Sequence, residues 1–132
     1  MSQENVKLGY LLSDAFNRRD LEAFLALTDP DVEVYSRIVE LEGGGPYRGH
    51  DGRSWWKDVF GIVPDLTFEV EDVRDIADVT VARIRQRGRG AGSDAPIEQT
   101  QWIVTKWRDK KANWWHVLLS EAEALEAAGL RE

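Results

Sequence analysis

Tyr47-Arg48-Gly49-His50-Asp51-Gly52-Arg53-Ser54-Trp55-Trp56-Lys57-Asp58-Val59-Phe60 is the stretch on which the reading of this chain turns. Glycines bracket His50 and Asp51, and beyond them Trp55, Trp56, Val59 and Phe60 recur at helical spacing. The Gly49–Gly52 turn reads as helix initiation, with His50 in a capping role. Adjacent helical residues point about 100° apart, so the two tryptophans are not both expected inside. Trp56, in register with Val59 and Phe60, is the one expected to face the core.

Upstream, Leu8, Leu11, Leu12, Ala15 and Phe16 share one helical face, and Asn17-Arg18-Arg19 ends that helix. Asp20 is placed to cap a short second helix carrying Leu21, Phe24 and Leu25, which Asp29-Pro30-Asp31 breaks. Val32 to Arg37 alternates as a half-buried strand, and Glu42 to Pro46 is a glycine turn. Downstream, four strands are expected at Leu66 to Arg74, Val79 to Arg87, Ile97 to Trp107 and Trp114 to Leu119. Asp75 to Asp78 and Arg108 to Ala112 read as turns, and Gly88 to Pro96 as a loop. Ser120 and Glu123 form a capping box for a terminal helix over Glu121 to Ala128, stopped by Gly129. The short connections predict an antiparallel meander, and its twist lets it wrap the N-terminal helices. The expected fold is α+β, with a curved mixed or antiparallel sheet around the N-terminal helices forming a cone-like cavity. One domain over residues 1–132 suffices for this length.

The net charge of -7 argues against nucleic acid, because phosphate binding needs a basic surface. The chain has no cysteine, which excludes disulfides and thiolate chemistry. No run approaches the roughly 20 apolar residues of a membrane span, and no leader is visible, so no membrane partner and a cytoplasmic location are expected. Two histidines far apart in sequence give no metal spacing. Gly43-Gly44-Gly45 lacks the lysine and hydroxyl of a phosphate loop, and no cofactor is expected. Six tryptophans are an excess in so short a chain; they suit core packing and the walls of a pocket for an apolar or aromatic molecule.

Three segments carry a resemblance: Phe16 to Ala23, Tyr47 to Gly52 with Trp55 and Trp56, and Arg108-Asp109 with the tail Glu123 to Leu130. In this order they resemble the SnoaL-like branch of the nuclear transport factor 2-like superfamily, whose fold is also described as cystatin-like. The resemblance implies the cone fold and a homodimer joined through the outer sheet face. It leaves the activity open, because relatives include isomerases, cyclases, hydrolases, carriers and interaction modules. The catalytic positions of ketosteroid isomerases on this fold correspond here to Leu12, Ser36 and Ile103, none of which carries that chemistry. The cyclase position before the terminal helix is Ser120. The Asp-Arg-Asp arrangement of hydrolase relatives is not matched, as Arg74-Asp75 reads as a turn.

Leu12, Phe16, Trp56, Phe60 and Ile103 are therefore the expected pocket walls, for a small, largely apolar or aromatic molecule. Gln99 and Gln101, on one strand face with Ile103, and Ser36 are the expected polar handles. His116, flanked by Trp115 and Val117, is the candidate acid/base of an enzyme alternative of cyclase, isomerase or hydrolase type. A homodimeric interaction module with a filled core is the third reading. Arg83, Arg85 and Arg87 are expected to pair with Glu69 and Glu71 on the neighbouring strand.

Overall fold

A computed structural model describes residues 2–36, 39–40, 43, 46–49, 52–76, 78–90 and 96–129. Helix α1 (Ser2–Asn17) and helix α2 (Leu21–Ala26) are followed by strands β1 (Thr28–Tyr35) and β2 (Tyr47–Arg48) and helix α3 (Gly52–Ile62). Strands β3 (Thr67–Ile76), β4 (Val79–Arg89), β5 (Pro96–Arg108) and β6 (Lys111–Leu118) then lead to helix α4 (Glu121–Ala127). The readings of His50 and Asp51, of Glu42, Gly44 and Gly45, and of the loop at 91–95 lie outside the described residues. Among the described residues no helix is long and apolar enough to cross a membrane.

The strands form one mixed, curved sheet in the order β2-β1-β6-β5-β4-β3. β3 to β6 are the expected antiparallel meander, and β1 joins β6 in parallel. The expected caps are present. Asp20 Oδ1 accepts from the Ala23 amide at 3.1 Å, and Ser120 Oγ from the Glu123 amide at 3.2 Å. The sharp turn from β5 to β6 is made by Asp109 and Lys110, both at positive φ (53° and 66°), as a two-residue hairpin of this hand requires.

Several boundaries differ from the sequence reading: β4 runs on through Gly88 and Arg89, and β6 starts at Lys111, in stretches read as loop and turn. Asp29-Pro30-Asp31 does not end in a free turn but lies within β1, where the pairing with β6 shifts between Thr28 and Glu33. Proline cannot donate to a ladder, so an irregular stretch accommodates it, and the Asp31 amide bonds Asp29 Oδ1 at 2.8 Å instead. β3 likewise continues through Asp75 to Ile76, past the turn expected at Asp75. A bulge between Val70 and Asp72 changes the side-chain phase along that strand, which the simple alternation did not carry.

Each strand has an inner face against α1 to α3 and an outer face. The inner rows run Phe68-Gln86-Gln99, Val70-Ile84-Gln101 and Ala82-Ile103-Val117 across the pairing, and Phe68, Ile84, Ile103 and Val117 join the main core. Outside, Val81, Val104, Trp102 and Leu118 receive Ala124 of α4 in a smaller cluster. The rest of the outer face is a charge ladder: Arg83–Glu71 at 3.2 Å, Arg85–Glu98 at 3.1 Å and Arg87–Glu69 at 3.3 Å. Exposed pairs of this kind add little stability, but they cover edge strand β3 with charge.

The α1 C-terminus is fixed to β3 by Asn17. Its Nδ2 donates to the Phe68 carbonyl at 2.7 Å, and its Oδ1 accepts from the Phe68 amide at 2.9 Å. Arg19, at φ 61°, donates to the Pro64 carbonyl and lies 4.0 Å from the Phe60 ring centre. Gly88 packs so tightly that an added Cβ would collide with Val63 Cγ1. Asn17→Ala leaves both backbone groups of Phe68 without these partners, and urea unfolding should show a loss of about 1–3 kcal/mol. An unchanged midpoint would show that the pair is not structural.

Candidate functional site

The interior between helices and sheet is built around Phe16. Its ring stacks on Phe68 at 4.4 Å and 5°, and lies 5.0 Å from Phe60, 5.5 Å from Trp55 and 5.6 Å from Trp56. Trp55 in turn stacks on Phe24 at 5.7 Å and meets Trp115 edge-on at 5.1 Å. Both adjacent tryptophans are therefore buried, Trp55 at 0% exposure and Trp56 at 7%. This corrects the expectation that only Trp56 faces inward. The two directions differ, as helical geometry requires, but both lead to aromatic partners. Trp55 reaches Phe24 and the sheet, and Trp56 reaches Phe60 and the Phe16–Phe24 pair.

Phenyl rings cannot accept a full hydrogen bond, and this has a consequence at both indoles. Trp55 Nε1 and Trp56 Nε1 are buried without a partner. A third such atom is Gln101 Oε1, on a side chain 1% exposed. Gln101 Nε2 donates to Gln99 Oε1 at 3.2 Å, which engages one end of the amide and leaves the other unpaired. Unmet buried donors and acceptors cost about 1–3 kcal/mol each, so native interiors rarely keep them empty.

The structure gathers Leu12, Phe16, Trp56 and Ile103 into one buried cluster, with Phe60 packed against it. Gln101 lies on the Ile103 face of β5, buried, and Ser36 is buried just past the end of β1. Gln99 is exposed near the start of β5, so it supports Gln101 and does not line the interior itself.

His116 is not on this face. It pairs with Val104 and Tyr35, and its ring lies 4.9 Å from Tyr35 and 5.2 Å from Trp114 on the outer side. The expectation that it faces the cavity is corrected. Trp115 and Val117 take the inner positions, and strand alternation sends His116 outward. Burial pushes its pKa down, against the opposing charges of Glu40 and Glu123.

Asp75 was missed because its strand was expected to end one residue earlier. Beyond the bulge it pairs with Thr80, in the row that continues to Thr105 and Trp115, and its Oδ1 is buried without a partner. Asp72 and Arg74 turn outward instead, into a groove of about 190 Å³ with Val81, Arg83, Trp102 and Glu121. A second groove, of about 340 Å³, lies between Glu4 and Asn5 of α1 and the Asp109-Lys110 turn. Neither groove contains a residue expected to line the pocket. At the β2–α3 boundary Tyr47 donates to Asp58 Oδ2. Desolvation, then that bond, pushes its phenol up to about 12. Among the described residues no group of three His, Asp or Glu side chains is placed to hold a metal ion.

A family model described as SnoaL-like domain matches residues 11–115. No curated protein matches the chain. An NTF2-like protein of unknown function from Burkholderia pseudomallei K96243 superposes with a TM-score of 0.79 at 21% identity, covering 96% of this chain and 97% of the other. TerC co-crystallised with polyporic acid gives 0.77 at 19% identity, covering 93% and 96%. IdmH of Streptomyces antibioticus, a candidate polyketide cyclase, gives 0.73 at 22% identity, covering 95% and 98%. At these identities the likeness speaks for the fold.

Two pH effects follow from the side chains. His116 favours the folded state when neutral, so its contribution is present above about pH 6.5 and is lost as pH falls below it. Urea midpoints measured on both sides of that value should fall more on acidification for the wild type than for His116→Gln. Tyr47 has the opposite sign: its contribution is present below about pH 10 and is lost as pH rises toward about 12. Ultraviolet titration should find a phenol ionising near 12 that disappears in Tyr47→Phe.

Proposed function

The chain belongs to the SnoaL-like domain family, and from that premise we propose that it is a pocket protein binding a small, largely apolar aromatic molecule inside its cone. The observation that carries this reading is the pair of buried, unpartnered indole donors, Trp55 Nε1 and Trp56 Nε1, in an interior walled by Phe16, Phe24, Phe60 and Phe68. Rings of this kind bind a flat apolar body, and the two N–H groups ask for an oxygen acceptor on it. Leu12, Ile103 and Ser36 complete the wall in this reading. The neighbour TerC, co-crystallised with polyporic acid, supports it as a fold that takes up an organic molecule.

An acid/base enzyme is the second reading, and Asp75 favours it. The buried polar side chains Thr28, Ser36, Thr80, Gln86, Gln101 and Thr105 carry hydroxyls and amides, with no carboxyl or imidazole among them. Asp75 Oδ1 is the carboxylate oxygen that, among the described residues, is buried without a partner. A general acid or base on this inner face would therefore be Asp75 in place of His116. The candidate cyclase IdmH lends this reading its reaction type. Either way the reading includes a cytoplasmic homodimer joined through the outer face, where Tyr35, Trp114 and His116 form an aromatic patch beside Lys106.

Benzophenone, with two apolar rings and one carbonyl acceptor, is a direct probe. At a free concentration of about 100 times its Kd it should stabilise the fold by about 2.7 kcal/mol in thermal unfolding. Trp56→Phe keeps the ring and removes the donor, and should weaken binding measured by calorimetry. No stabilisation at saturating probe would leave the filled-core interaction module as the reading that stands.

A further inference from the structure

We infer that α4 and a second copy of the chain compete for one strip of the outer sheet face, so that α4 is a cover held over a self-association surface.

The inference rests on the outer-face reading of the dimer and is independent of what the interior binds. It starts from one row across the sheet. Tyr35 pairs with His116, His116 with Val104, Val104 with Val81, and Val81 with Arg74. Residues directly opposite in a sheet share a face, and this row is on the outer one. Tyr35 and His116 belong to the aromatic patch with Trp114. Val104 and Val81 are buried in the cluster that receives Ala124 of α4. With α4 lifted, strip and patch join into one apolar surface over β1, β6, β5 and β4.

The cover is weakly held. Seven residues are too few for a stable helix in water, so α4 is helical only while docked. It meets the strip through Ala124 and Ala127, with Ala128 at its C-cap, and alanine buries little hydrocarbon. The bonds of Ser120 and Glu123 are local to the helix start and do not reach the sheet. Arg74–Glu121, at 3.0 Å, does reach it, but the pair is exposed and adds little. The groove between Glu121 and Val81, Arg83 and Trp102 leaves one end of the strip incompletely covered. The cluster under α4 is separate from the main core, so α4 can lift without opening that core.

Charge selects a second copy as the competitor and sets its orientation. At the β1 end of the row, Tyr35 Oη donates to Glu33 Oε1 at 2.9 Å, and Arg48 lies 3.5 Å from the same carboxylate. At the β3 end stands Arg74, which gives up Glu121 when α4 lifts. A two-fold axis along the row would set Arg74 against Arg74 and Glu33 against Glu33, which repel. An axis along the strands, through Val104, sets Arg74 of each copy against Tyr35 and Glu33 of the other. It also sets His116 against Val81 and Val104 against Val104. The row is thus self-complementary in one orientation, and α4 occupies its centre.

Sedimentation velocity of the full chain over a concentration series tests this, with amide hydrogen exchange reporting on α4. Ala124→Glu drives a charge against Val81 and Val104, and Glu121→Lys sets a cation beside Arg74. Both should speed exchange of the α4 amides and tighten dimerisation. Two open copies are needed for each dimer, so an open fraction of about one in ten weakens wild-type dimerisation about a hundredfold, of which the variants should recover about tenfold or more. Arg74→Glu added to Ala124→Glu should weaken the dimer about tenfold, and Glu33→Arg added to both should restore it. Glu121 is exposed, so its variant keeps the test usable if Ala124→Glu is unstable. Unchanged exchange in both variants, or faster exchange without tighter dimerisation, would overturn the inference; a wild-type dimer that persists would then leave the outer-face reading standing. Polydisperse aggregation in place of a dimer would also overturn it. No self-association of wild type or variants would overturn both.

Discussion

The stack of Phe16 on Phe68, with Asn17 bonded to both backbone polar groups of the same residue, sets where α1 lies on the sheet. Two consecutive residues at the end of one helix thereby fix its depth and rotation over β3. Everything inside follows from that placement. Phe24, Trp55, Trp56 and Phe60 each lie within 6.5 Å of the Phe16 ring, centre to centre. α2 and α3 are thus positioned by one aromatic centre that α1 delivers. The left-handed backbone of Arg19, which turns the chain from α1 toward α2, also points its guanidinium at the Pro64 carbonyl and the Phe60 ring. One short segment therefore joins three helices to the sheet.

An aromatic centre has a chemical side effect. It buries tryptophans among groups that do not accept hydrogen bonds, and the indole donors are left over. In a purely structural core, phenylalanine would pack against the same rings without that penalty, so the choice of tryptophan twice in succession asks for a reason. An occupant with an oxygen acceptor supplies one. The outer face has a different character, with hydrocarbon under α4, paired charges over β3 and β4, and aromatic rings around His116. The two faces of β6 separate these chemistries residue by residue, since Trp115 and Val117 point in while Trp114 and His116 point out.

Much of the fold was legible because it depends on local periodicity. Leu8, Leu12, Ala15 and Phe16 of the α1 stripe, the Asp20 and Ser120 caps and the alternation of β5 are properties of neighbouring residues and reappear in three dimensions, whereas Leu11, read onto the same helical face, is 44% exposed. The Arg83, Arg85 and Arg87 ladder was legible for the same reason, because cross-strand pairing follows from a tight β3–β4 connection. What failed depends on tertiary placement. His116 went to the wrong face because alternation gives two faces without saying which one the helices cover. Trp55 was assigned outward because a helix wheel does not show that α3 has aromatic partners on two sides. Asp75 was hidden by a bulge, whose phase shift arises in the pairing between two strands and is invisible in either one alone. The site residues read from the alternation of β5, Gln101 and Ile103, were placed on the expected face; Gln99 shares their phase but lies too near the strand end to be covered.

If the unpaired indole donors of the interior mark the place where a ligand binds, nitrogen-15 correlation spectra of the six tryptophan side chains will register it, because each Nε1–H gives its own resonance. With benzophenone added, the signals assigned to Trp55 and Trp56 by single Trp→Phe variants should move downfield, as hydrogen-bonded donors do, while those of Trp102 and Trp114 stay in place. Unmoved Trp55 and Trp56 signals at saturating probe, with shifts confined to the outer-face tryptophans, would contradict it.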